Sequence, residues 1–77
     1  MKILTIYFSE KNKQYVEKEA NTLEKCGIAF TLVDADKLPR KILTPAFVVT
    51  KNGGVLTKME GKFTPGKVLS WAKNYIG

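Results

Sequence analysis

Residues Leu43–Gly61 read LTPAFVVTKNGGVLTKMEG. Two runs of strand-forming residues, Pro45–Lys51 and Val55–Glu60, stand on either side of Asn52-Gly53-Gly54. An Asn-Gly pair accepts the positive φ angles of a tight hairpin turn, so the two runs are expected to pair antiparallel. Pro45 stands at the entry of the first run, where a missing backbone donor does least harm. The second run alternates apolar and polar residues, as expected of an edge strand.

Upstream, Ile3–Phe8 is a nearly continuous apolar run, the pattern of a strand buried on both faces. Ser9 or Asn12 can cap the helix that follows. That helix places Val16, Ala20 and Leu23 on one stripe and turns Glu17, Lys18, Glu24 and Lys25 to solvent. Gly27 ends it, because a left-handed residue suits the position just past a helix terminus. Ile28–Val33 reads as the second strand, and strand-helix-strand implies parallel pairing with a right-handed crossover. Asp34–Leu43, weakly periodic and interrupted by Pro39, reads as a connector with at most a short helix. Downstream, Thr64 is expected as an N-cap with Pro65 at the first helical position. The closing helix puts Val68, Leu69, Ala72, Tyr75 and Ile76 on or near one face, with Trp71 at its margin. The order is βαβ, a connector, then ββα, in a single domain spanning residues 1–77.

The chain has 77 residues, one cysteine and no histidine. A zinc or iron–sulfur site would lack ligands, and no cofactor is expected. One cysteine cannot form an internal disulfide, which fits a reducing, cytoplasmic setting. The N-terminus has no long apolar signal core, and no run is long enough to span a membrane. The net charge of +6 is unevenly spread. Residues 1–36 hold five lysines against six acids, while residues 37–77 hold eight basic residues against Glu60 alone.

The element order and several motifs resemble the thioredoxin and glutaredoxin family. LTPAFVVTKNGGVLTKMEG is similar to the stretch that carries that family's cis-proline, third strand, Lys-Asn-Gly hairpin and closing glycine. YVEKEANTLEKCGIAFTLVDAD, Tyr15–Asp36, is similar to the first helix and second strand of glutaredoxins. The resemblance implies an α/β thioredoxin-like fold: a four-stranded mixed sheet flanked by helices, with the second helix short or absent. It also places the family's Cys-x-x-Cys at Asn12-Lys13-Gln14-Tyr15, give or take one residue. Neither an amide nor a phenol can do dithiol exchange, so no oxidoreductase activity is expected. Cys26 lies at the far end of the helix, where the dipole disfavours a thiolate, and reads as a small, partly buried apolar residue.

What the resemblance leaves is a groove. If Thr44–Pro45 is cis, Thr44 can offer backbone groups to an extended peptide beside the start of the first helix. Asn12, Lys13, Tyr15, Thr44, Pro45 and Lys62 are the expected binding residues. Lys11, Arg40 and Lys41 extend a positive rim, with Phe63 nearby. A monomeric module that binds a protein or peptide partner is the leading expectation. A glutathione-like anion bound without turnover, and nucleic acid attracted by the basic C-terminal half, are the alternatives.

Overall fold

A computed structural model describes residues 1–76. The first strand, β1 (Lys2–Phe8), turns Leu4 and Ile6 inward, while Ile3 on the other face is 45% exposed. The expectation of a strand buried on both faces is therefore corrected: Leu4 and Ile6 are fully buried on one face, while on the other Thr5 and Tyr7 are only half-buried. Ser9 is extended, and a single 3-10 turn, Glu10–Asn12, runs directly into helix α1 (Lys13–Lys25). Val16, Ala20 and Leu23 form its buried stripe, as their spacing predicts.

The end of α1 explains where the next strand begins. Gly27, at φ +77°, donates its N–H to the Glu24 carbonyl at 3.0 Å, and Ile28 donates to the Leu23 carbonyl at 3.0 Å. This is a Schellman cap, closed by contact between two buried residues, Leu23 and Ile28. The Ile28 N–H is thus committed to the helix and unavailable to a sheet. Strand β2 is accordingly Thr31–Asp34, shorter than the expected Ile28–Val33. Cys26 occupies the cap itself and is exposed, not partly buried.

β2 pairs parallel with β1, from Thr5 opposite Thr31 to Phe8 opposite Asp34. The connector holds one 3-10 turn, Ala35–Lys37. β3 (Ala46–Lys51) runs antiparallel to β1, turns through Asn52 and Gly53 at φ 53° and 86°, and pairs with β4 (Gly54–Glu60). The sheet order is β2-β1-β3-β4. In β4, Thr57 lies opposite Val49 but Val55 lies opposite Thr50, so Leu56 is an extra residue, a bulge. The bulge interrupts the alternation read from the sequence. Met59 packs toward the core, whereas Val55 falls on the same face as Thr50 and is 65% exposed.

Helix α2 (Lys67–Tyr75) begins later than Thr64 and Pro65 suggest. Lys67 donates its N–H to the Thr64 carbonyl at 3.2 Å, and Gly66 sits at φ +88°. Thr64-Pro65-Gly66-Lys67 is thus a turn of type II, with proline second and glycine third. A Pro-Gly pair favours that turn over proline in the first helical position, so Thr64 is not the N-cap. Val68 and Ala72 are fully buried, and Leu69, Trp71 and Ile76 pack against the core. Tyr75, expected inward, is 37% exposed beside Trp71, with ring centroids 6.1 Å apart.

Both helices share one core with the inner face of the sheet: Val16 and Leu23 of α1 and Val68 of α2 meet Leu4, Ile6 and Phe47. The molecule measures 30 × 28 × 16 Å, a thickness that fits two layers of secondary structure and not three. Both helices cover the same face of the sheet, and between β2 and β3 there is only the Ala35–Lys37 turn where the resemblance allows a short or absent second helix. The connector has no helix to lay across the second face. The mixed α/β architecture and its strand order are compatible with a thioredoxin-like fold. No helix among the described residues is long and apolar enough to cross a membrane.

Candidate functional site

Three side chains join β1, the start of α1 and the entry to β3. The Asn12 Oδ1 accepts the Ser9 backbone N–H at 2.9 Å. The Asn12 amide donates to the Ser9 hydroxyl at 3.1 Å and to the Thr44 hydroxyl at 3.0 Å, and Thr44 in turn donates to Ser9 at 3.1 Å. Both amide donors of Asn12 are used, and the residue is only 6% exposed. Its role is to tie the first helix to the Thr44–Pro45 corner from inside. That peptide is cis, and Pro45 is buried, with its carbonyl accepting the Gly61 N–H at 2.8 Å.

Over this tie lies a shallow depression of ≈ 560 Å³, bordered by Lys11, Leu43, Thr44, Pro45 and Lys62. Among the described residues, neither the N–H nor the C=O of Thr44 takes part in an internal backbone hydrogen bond. Leu43 beside it is 70% exposed. The depression is therefore bordered by a residue whose backbone donor and acceptor lack internal backbone partners, an exposed leucine and two lysines.

Of the six binding residues read from the sequence, Asn12, Thr44, Pro45 and Lys62 meet at this depression. Lys13 and Tyr15 do not border it. Lys13 is exposed on the first turn of α1. Tyr15 turns inward: its hydroxyl accepts the Phe63 N–H at 2.9 Å and its ring stands edge-on to Phe47, centroids 6.4 Å apart. Burial holds the Tyr15 phenol above its usual ionisation range; the Phe63 hydrogen bond offsets part of this and the Glu19 charge adds to it. Glu19 itself is buried on α1, and desolvation raises its carboxyl above the ordinary range.

The positive rim divides in two. Lys11 and Lys62 border the Pro45 depression, while Arg40 and Lys41 stand with Lys11 around a neighbouring hollow that also contains Glu10 and Asp36. Asp36 is the residue that sequence reasoning missed. Its Oδ2 accepts the Glu10 N–H at 3.1 Å, and Asp34 fixes it by accepting the Asp36 N–H at 3.0 Å. The Asp-x-Asp spacing after β2 was its signal, because the first carboxylate of such a pair commonly caps the second residue's backbone. A carboxylate of the chain itself thus takes a backbone N–H of the 3-10 turn that leads into α1, a donor an external anion would otherwise compete for.

The described residues hold no cluster of three or more His, Cys, Asp or Glu side chains suited to a metal. No protein-family model matches the sequence, and no curated protein matches it.

Proposed function

We propose that this chain is a noncatalytic relative of thioredoxins and glutaredoxins that binds an extended segment of a protein partner at the Thr44–Pro45 corner. One observation carries the reading. The Thr44 hydroxyl is fixed by Asn12 and Ser9, while its backbone N–H and C=O are left without internal partners. An extended segment can exchange strand-like hydrogen bonds with the N–H and C=O of such a residue. Leu43 supplies an apolar contact, and Lys11 and Lys62 favour a segment with acidic side chains.

Dithiol exchange does not fit these residues. A buried amide and an inward-turned phenol hold the positions where thiols would attack and resolve. Cys26 lies 13 to 14 positions along the helix, roughly 20 Å away at about 1.5 Å per residue. The glutathione reading has less support, because Asp36 already satisfies the Glu10 N–H. The nucleic-acid reading has less again, because the basic residues are spread over connector, hairpin and helix.

The test is a titration of isotope-labelled protein with glutathione, a single-stranded oligonucleotide and a pool of acidic and neutral extended decapeptides. The expected result is amide shifts at Leu43, Thr44 and Lys62 with the peptides, weakened by Lys62→Glu, and none with glutathione. Shifts from glutathione alone would replace the peptide reading with the small-ligand one. An insulin-reduction assay should give no turnover, and turnover would overturn the noncatalytic assignment.

A further inference from the structure

The face of the sheet away from the helices carries Tyr7 of β1, Val48 of β3 and Val55 of β4, brought to one side by the pairing register and the Leu56 bulge. The connector rises along one margin with Leu38, Ile42 and Leu43, leaving a groove of ≈ 410 Å³ between itself and β4. Val55 and Leu43 are 65% and 70% exposed. Arg40 and Lys58 stand at opposite rims. Lys58 has one acidic neighbour, Glu60, at 3.8 Å, in a solvent-exposed pair of the kind that contributes little.

We infer that this groove receives an acidic amphipathic helix of a protein partner, about four turns long. The proposal goes beyond the Thr44 reading and does not rest on it. The floor is the flat of the sheet, lined by side chains of β1, β3 and β4, so it offers side chains and not backbone donors and acceptors. A helix presents side chains at i, i+3, i+4 and i+7, the form that a sheet face accepts as its second layer. The longest strands of the sheet, β1 and β4, have seven residues each and run about 23 Å at about 3.3 Å per residue, the length of a helix of about 15 residues at about 1.5 Å per residue. Charge selects the partner's sign. With +6 on the chain and Arg40 and Lys58 lining the groove against Glu60 alone, a second copy would bring like net charges together, whereas glutamates flanking an apolar stripe meet an excess of opposite charge. The floor has a single aromatic ring, Tyr7, too little to stack successive bases.

The experiment titrates the full labelled chain with three synthetic 18-residue peptides and one single-stranded DNA. The peptides are a Leu/Glu amphipathic helix, its Leu/Lys counterpart and a scrambled Leu/Glu sequence. The Leu/Glu helix should shift the amides of Tyr7, Val48, Val55 and Lys58, and weaken on adding salt. Val55→Glu and Arg40→Glu, both at exposed positions, should each reduce its affinity about tenfold or more, which is about 1.4 kcal/mol. Circular dichroism checks that these variants stay folded. Absence of binding by the Leu/Glu helix, equal binding by the scrambled or basic peptide, or shifts by DNA at the same residues would overturn the proposal. So would concentration-dependent dimerisation lost in Val55→Glu, since a second copy would then be the occupant. Shifts confined to Leu43, Thr44 and Lys62 would also overturn it while leaving the Thr44 reading intact.

Discussion

Replacing Asn12 by alanine probes the tie that orders the candidate site. The substitution removes three hydrogen bonds, at 2.9, 3.1 and 3.0 Å, from a residue that is 6% exposed. Ser9 and Thr44 keep their mutual bond, so the main losses are the acceptor for the Ser9 N–H and the amide that bridges the two hydroxyls. A net contribution of about 0.5–1 kcal/mol for each of the three bonds gives about 1.5–3 kcal/mol. A chain of this length has roughly 4–11 kcal/mol in total, so the loss is a large fraction of it. The melting temperature should fall by about 10–20 °C. Urea unfolding monitored by Trp71 fluorescence would measure the change, and Thr44→Val completes a double-mutant cycle. The two side chains should show a coupling of about 0.5–1.5 kcal/mol. A loss below about 0.5 kcal/mol for Asn12→Ala, or strict additivity with Thr44→Val, would refute the view that this amide organises the corner.

Tyr15→Phe removes the acceptor of the Phe63 N–H and should destabilise by about 1 kcal/mol in the same assay. In the parent chain the Tyr15 phenol is held above its ordinary range, so its contribution is full below the unfolded ionisation range and lost as pH rises through the folded one. Spectroscopic titration should find a tyrosine ionising above the ordinary tyrosine range, lost in Tyr15→Phe. Glu19 also ionises above its usual range, because burial penalises its charge. Folding therefore disfavours its charged form at neutral pH. Glu19→Gln should raise the melting temperature at pH 7, and the gain should close as pH falls below the ordinary glutamate range. Gly66→Ala should destabilise by about 1–2 kcal/mol through backbone conformation alone, since a Cβ there meets nothing within 4 Å while φ is +88°.

The elements legible in the sequence were those set by periodicity and by one decisive turn. The 3.6-residue spacing of Val16, Ala20 and Leu23 defined α1, and Asn52-Gly53 defined the hairpin. What stayed hidden depended on competition between rules. Gly27 was recognised as a helix end, but the cap also claims the Ile28 N–H and so delays β2. Pro65 fitted a helix start until Gly66, one residue on, made the pair a turn. The shortness of the connector was visible, yet the bare second face of the sheet emerges only when both helices are seen on the first. In the candidate site, the resemblance brought Asn12 near Thr44, but an asparagine before a helix reads as solvent-facing. Its burial follows from partners 3 and 32 residues away in sequence, the second of which no local pattern announces.

The bulge at Leu56 also shapes the edge that this chain presents to a neighbouring strand. β4 is a boundary strand, and a straight one would present a regular ladder of open donors and acceptors to any neighbour. One inserted residue breaks that ladder near its middle and increases the local twist, and charged Lys58 and Glu60 follow it. Excising Leu56 would restore a uniform repeat along the rim and, with it, a template for end-to-end fibre growth.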